Sequence, residues 1–167
     1  MKTIKEIETV ILPLDKCPEY AAICAHWSYL QWYLKRDIPF DVNLLAYNQR
    51  AANDSLPRVF VAFVDSFPVG MVSLKQDDMW SRKDLSPWLS ALYVIPEFRK
   101  VGLGDRLITC VTDEAAIRGF KELFLFLDHN EEQYLAQFYE KRGWQYLADD
   151  MNNDNTIAKI YRFSLQI

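Results

Sequence analysis

The sequence predicts one α/β domain built on a central mixed sheet of about seven strands flanked by about four helices. Three observations predict it. Arg58–Val64 and Leu123–Leu127 are apolar on both faces, the mark of central strands covered from both sides. The first of these turns back through Asp65-Ser66-Phe67-Pro68 into Val69–Lys75, an antiparallel hairpin. Further on, a strand ending at Ile95, an amphipathic helix and Leu123–Leu127 follow one another as a crossover unit does. No repeat, linker or low-complexity tract divides the 167 residues, half of them apolar, so a single domain over 1–167 with a sizeable core is expected.

Taken in order, Glu6–Leu14 alternates loosely and ends near Pro13, a first strand. From Glu19, Tyr20, Ile23, Cys24, Trp27, Leu30 and Leu34 recur at helical spacing, which predicts an amphipathic helix to about Lys35. Arg36-Asp37-Ile38-Pro39 breaks it. Asp41 is placed to cap a second helix through about Ala52, with Leu44, Leu45 and Asn48 on one face. After the hairpin, Gln76–Ser86 reads as a polar loop with Trp80 alone in its middle. Trp88–Ile95 is the next strand, stopped by Pro96 because proline cannot donate to a ladder. Gly104–Arg118 is a helix with Leu107, Ile108, Val111 and Ala115 inward and Gly119 as its stop. A last helix spans Glu131–Arg142 and ends at Gly143. Trp144–Leu147 and Thr156–Leu165 close the sheet around a polar turn at Asp149–Asn155.

Composition narrows the function. A net charge of −4 lacks the basic footprint of a nucleic-acid binder. No segment approaches the ~18 uninterrupted apolar residues of a membrane span. Met1-Lys2-Thr3-Ile4-Lys5-Glu6 is charged where a signal peptide is apolar, so a soluble cytoplasmic protein is expected. Three cysteines, Cys17, Cys24 and Cys110, show no C-x-x-C spacing; Cys24 and Cys110 fall on apolar helical faces and read as buried free thiols. Two isolated histidines, His26 and His129, are too few for a metal site, and no metal is expected. His26 reads as a helix-surface residue. Trp27 reads as core, whereas Tyr29 and Tyr33, four apart on the other flank, are better placed to line a cleft.

The chemistry concentrates in Leu92–Asp105, where an apolar strand meets proline, a basic pair, two glycines and a helix start. Strand, glycine turn and helix N-terminus together hold phosphate groups through backbone N–H donors. A P-loop is excluded because no Gly-x-x-x-x-Gly-Lys-Ser/Thr occurs. A dinucleotide fingerprint is excluded because Leu107 stands where its third glycine belongs, and because four strands precede the turn. What remains is Val94-x-Pro96-x-x-Arg99-x-x-Gly102-x-Gly104. This resembles the coenzyme A-binding motif, Arg/Gln-x-x-Gly-x-Gly/Ala, of the GNAT N-acetyltransferase superfamily. A second signature agrees in order and context: Phe138-Tyr139-Glu140-Lys141-Arg142-Gly143-Trp144 resembles the superfamily's Leu/Phe-Tyr-x-Lys-x-Gly-Phe/Trp. The resemblance covers about Arg58–Leu165.

It implies a GNAT-like acyl-CoA N-acyltransferase fold with acetyl-CoA as co-substrate and an amine as acceptor. Arg99, Lys100, Val101, Gly102, Leu103, Gly104 and Asp105 would hold the pyrophosphate, the glycines leaving no side chain between backbone and ligand. Leu92, Tyr93 and Val94 would lie along the acetyl-pantetheine arm, their N–H groups facing the thioester oxyanion. Tyr139 would act as general acid toward the thiolate, a phenol near ~10 serving a thiol near ~8.5. The chain departs from the pattern in two places. Ser90, Ala91 and Leu92 offer no carboxylate base, so a water relay, Asp128 or an acid of the Gln76–Asp84 loop would have to serve. The asparagine that many members carry before the tyrosine is replaced by Glu132 at its usual spacing, with Asn130 two residues further back. No Cys–His pair favours a covalent route. The expected function is acetyl transfer to a small-molecule or peptide amine by direct attack in a ternary complex. A catalytically inactive acyl-CoA-binding sensor or interaction module on the same scaffold is the alternative, and a homodimer is compatible with either.

Overall fold

The structure is a computed structural model that describes residues 8–128 and 132–165. The start of the expected first strand at Glu6, and His129, Asn130 and Glu131, lie outside the described residues. Eleven main elements follow one another: β1 (Thr9–Pro13), α1 (Ala21–Ser28), α2 (Phe40–Arg50), β2 (Arg58–Val64), β3 (Phe67–Lys75), β4 (Trp88–Val94), α3 (Leu103–Ile117), β5 (Glu122–Asp128), α4 (Glu132–Glu140), β6 (Gln145–Met151) and β7 (Ile157–Ser164). The seven strands run β1-β2-β3-β4-β5-β7-β6 in one sheet. The β4–β5 pair is parallel, whereas β1–β2, β2–β3, β5–β7 and β6–β7 are antiparallel, so the sheet is mixed as expected.

The chain divides into two compact units, one of residues up to Leu74 with Ala91–Val111, the other of Lys75–Ser90 with Thr112 onward. In the first, β2 is buried along both faces, which explains its unbroken apolar run. Val59, Val61, Phe63 and Met71 face Cys17, Cys24, Ala25, Trp27 and Tyr47 of the first two helical segments. The opposite face meets α3, where Leu107 comes up against Gly70. The β2–β3 hairpin closes in two residues: Val64 pairs with Phe67, and Asp65 and Ser66 take φ of 46° and 70°. Left-handed backbone at both central positions matches the right-handed twist of the flanking strands.

The first helix differs from its expectation. α1 ends at Ser28, a π-helical segment spans Tyr29–Tyr33, and a 3₁₀ turn takes Leu34–Arg36. Each π turn inserts an extra residue and rotates the following side chains out of phase. Leu30 and Leu34, in register with Trp27 on an ideal helix, are therefore 52% and 53% exposed. In α2 the inward face is Asn43, Leu44 and Tyr47, not Leu44, Leu45 and Asn48. Asn43 satisfies its burial by donating Nδ2 to Ala25 O at 2.7 Å. Pro39, not Asp41, stands at the cap of this helix, and the Asp41 carboxylate accepts from the adjacent Val42 N–H at 3.1 Å. Cys17 and Cys24 are buried free thiols, while Cys110 is only half-buried.

In the second unit β5 lies between β4 and β7, and Met79, Trp88, Phe124, Ala158 and Ile160 form its core. Trp88 is fully buried and donates its indole N–H to Leu85 O at 2.9 Å. The closing strands run further than expected. β6 continues through Asp149 and Asp150 to Met151, and the turn shortens to residues 152–156. No described helix is long and apolar enough to cross a membrane.

Candidate active site

The strand leading into the glycine turn is kinked by its backbone. Ala91, inside β4, takes φ of +53°, a left-handed conformation that costs a non-glycine residue about 1–2 kcal/mol. The register of β4 with β5 is seen at Trp88↔Phe124, ahead of this kink, where Phe124 N–H also bonds Pro87 O at 3.0 Å. Beyond it come Leu92 and Tyr93, half-buried, and Val94, buried. Sequence reasoning missed Ala91, for alanine carries no left-handed preference. It also passed over Gly70, whose signal was present: a glycine inside an apolar strand marks a close backbone approach. A Cβ on Gly70 would sit 2.7 Å from Tyr93 O and 3.3 Å from Val94 Cγ2. Bare backbone on β3 is thus what seats the end of β4, assisted by the bond from Ile95 N–H to Val69 O at 2.9 Å.

The turn itself is built from Pro96 onward. A 3₁₀ turn at Pro96–Phe98 follows the strand, and Lys100 and Gly102 take φ of +63° and +89°. Nothing lies within 4 Å of where a Cβ on Gly102 would be, so glycine is required there by conformation and leaves open space beside the backbone. Arg106 N–H bonds Gly102 O at 3.2 Å and closes the first turn of α3. The backbone ahead of it, from Leu103, forms the first turn of α3 and carries the positive end of the helix dipole. Leu107, Ile108, Val111 and Ala115 anchor α3 inward as expected. Lys100 and Val101 are exposed.

Arg99 is one of the residues expected to hold the pyrophosphate. It is exposed, but its Nε donates to Val94 O at 2.7 Å and its guanidinium lies 5.5 Å from the Tyr93 ring centre. It therefore latches the turn onto the end of β4 as well as placing charge there. The buried thiols of this unit are poor nucleophiles at neutral pH. Burial, then Glu19 and Asp15, pushes Cys17 up to about 11, and burial with Cys17 beside it pushes Cys24 up to about 12.

Tyr139 belongs to the second unit, on the inward face of α4, 5% exposed. Its ring makes edge contacts with Phe138 and Trp144 at centroid distances of 5.1 and 5.8 Å. The rest of the signature terminates the helix. Arg142 lies 3.6 Å over the Phe138 ring and donates Nη1 to Phe138 O, Trp144 N–H bonds Tyr139 O at 3.1 Å, and Gly143 takes φ of +91°. Hence Arg142, Gly143 and Trp144 fix the orientation of the tyrosine. Asn130, the other family position, lies outside the described residues.

The Acetyltransferase (GNAT) family matches residues 21–144. The chain belongs to the GNAT acetyltransferase family. Among solved structures, an aminoglycoside 6'-N-acetyltransferase complexed with coenzyme A is similar at TM-score 0.73 and 16% identity, over 95% of this chain and 98% of that one. An N-acetyltransferase from Staphylococcus aureus Mu50 is similar at 0.71 and 15%, over 95% and 99%. A GNAT-family acetyltransferase from Streptococcus pneumoniae is similar at 0.67 and 16%, over 95% and 100%. At such identities the likeness is one of fold, and it agrees with the seven-stranded mixed sheet and four helices of this GNAT chain. No curated protein matches the sequence.

Proposed function

We propose that this GNAT chain moves an acetyl group from acetyl-CoA to a primary amine by direct attack of the amine in a ternary complex. The observation that carries the proposal is the open left-handed turn at Gly102 running into the first turn of α3. It offers open space beside the backbone at Gly102, a positive helix end and the Arg99–Lys100 charges in one stretch, which suits a pyrophosphate. That a structural neighbour was solved with coenzyme A supports the same donor.

In this reading Arg99–Asp105 bind the pyrophosphate, and the backbone of Leu92, Tyr93 and Val94 orients the acyl arm and donates to the developing oxyanion. Acetyl-CoA supplies an activated thioester whose sulfur leaves as a thiolate. The Tyr139 hydroxyl gives that sulfur its proton. Alignment of amine and thioester lowers the barrier by roughly 7–11 kcal/mol in well-oriented systems, so no enzyme nucleophile is needed. The raised Cys17 and Cys24 thiols agree with that.

A second reading keeps coenzyme A binding and drops catalysis. The close packing of Tyr139 between Phe138 and Trp144 favours it, since a core tyrosine needs no chemical role. Thiol release from acetyl-CoA over polyamines, aminoglycosides and peptide N-termini, run beside thermal unfolding with coenzyme A, separates the two. Turnover on any amine class supports transfer. Stabilisation by coenzyme A with no turnover across the panel supports the binding module.

A further inference from the structure

Trp27 is 7% exposed and belongs to the core beneath α1, but one of its contacts leads out of that core. Its ring lies 5.7 Å from that of Tyr93, centre to centre, with the planes tilted by 39°. Tyr93 is half-buried near the end of β4, and the same ring has the Arg99 guanidinium 5.5 Å from its centre. Arg99 is itself exposed and donates Nε to Val94 O at 2.7 Å. A line of contacts thus runs from α1 through Tyr93 to a charged residue of the turn into α3, all of it within the first compact unit.

The α1 end of that line is held still. His26 and Tyr29, on either side of Trp27 in the chain, both set their rings edge-on to Phe40, at centroid distances of 6.2 and 5.5 Å. Phe40 opens α2, and Asn43 of that helix donates Nδ2 to Ala25 O at 2.7 Å. The end of α1 is therefore clamped to α2 around Trp27. The other end of the line gains from this. A surface arginine samples many rotamers, and ordering it when a ligand arrives costs affinity. The bond to Val94 O fixes Nε, and an aromatic ring beside the guanidinium sets the plane of its fork. Where that ring stands depends on what packs behind it.

We propose that Trp27 is a positioning residue for the acyl donor: it props the Tyr93 ring, which holds the Arg99 guanidinium ready for a pyrophosphate oxygen. The inference rests on the coenzyme A-binding reading for its purpose, but the prop can be measured with no ligand present.

Nitrogen-15 correlation spectra of the arginine Nε–H groups, with coenzyme A titrated into the same samples, are the test. In the wild type without ligand, the Arg99 Nε–H signal, identified by its loss in Arg99→Lys, exchanges with water more slowly than those of other exposed arginines. Trp27→Leu speeds that exchange about threefold or more and weakens coenzyme A binding about three- to fivefold. Trp27→Tyr, which keeps a ring against Tyr93, restores both. In the Arg99→Lys background, Trp27→Leu leaves coenzyme A affinity within about 1.5-fold, because the link it acts through is already gone. The same loss of affinity with and without Arg99 would show that Trp27 acts through general packing and overturn the proposal. An Arg99 signal unchanged by Trp27→Leu would do the same. So would a wild-type Arg99 signal that exchanges as fast as those of other exposed arginines, a result that needs no variant to fold. A wild type that does not bind coenzyme A, while Trp27→Leu still frees the Arg99 signal, removes the donor reading and leaves the prop standing.

Discussion

At the scale of single residues, Gly70 and Tyr139 carry the sharpest expectations. Gly70 matters by absence. Any Cβ there meets the Tyr93 carbonyl at 2.7 Å, and the contact is backbone, which cannot swing away. Gly70→Ala should destabilise by about 1–3 kcal/mol and displace the end of β4. Chemical denaturation measures the first effect, and a weakened response to coenzyme A the second. Tyr139 matters in the opposite way, by one atom. Tyr139→Phe keeps both edge contacts and removes the hydroxyl, so the account expects turnover to fall about a hundredfold or more with coenzyme A affinity unchanged. Equal losses in both would make the tyrosine a packing residue.

Among the elements, what was legible in the sequence was whatever a regular period or a special residue announces. β2 and β5 were legible because burial on both faces demands an unbroken apolar run. α3 was legible because Leu107, Ile108, Val111 and Ala115 keep one helical phase, and its neighbours Gly102 and Gly119 take positive φ. The errors fall where backbone geometry changes without a marker residue. The π segment at Tyr29–Tyr33 breaks the phase that Leu30 and Leu34 were assigned, and nothing in Tyr-Leu-Gln-Trp-Tyr signals it. The kink at Ala91 is equally silent. In α2 a buried asparagine took the place of an expected leucine because a bond to Ala25 O satisfies it. The hairpin turn supplies an element-scale prediction. Ser66 holds φ of +70° at a position where glycine is at ease, so Ser66→Gly should stabilise the fold by about 1 kcal/mol, read as a higher denaturation midpoint.

For the whole molecule, family membership and fold agree with a chain whose two signatures sit at the ends of helices, each turned by a left-handed glycine. The buried ionisable groups set its response to alkali. Burial raises Cys24 from 9.0 to about 12 and Tyr47 from 10.0 to about 12. Both groups keep their protons in the folded state above the pH at which the unfolded chain releases them. Stability is therefore unaffected below pH 9 by these groups and falls as pH rises from there toward 12, by about 1.4 kcal/mol per pH unit for each group in its window. Denaturation midpoints measured from pH 8 to 11 check the sign.

The central claim is that the turn from β4 into α3 holds the acyl donor, and calorimetric titration of coenzyme A into the wild type and Gly102→Val tests it most directly. No atom outside its chain neighbours lies within 4 Å of where a Gly102 Cβ would be, so a side chain there acts through the strained φ of +89° and the lost opening beside the backbone. The account predicts saturable binding by the wild type and at least about tenfold weaker binding by a variant that still unfolds cooperatively. Undiminished binding by that variant, or none by the wild type, would contradict it.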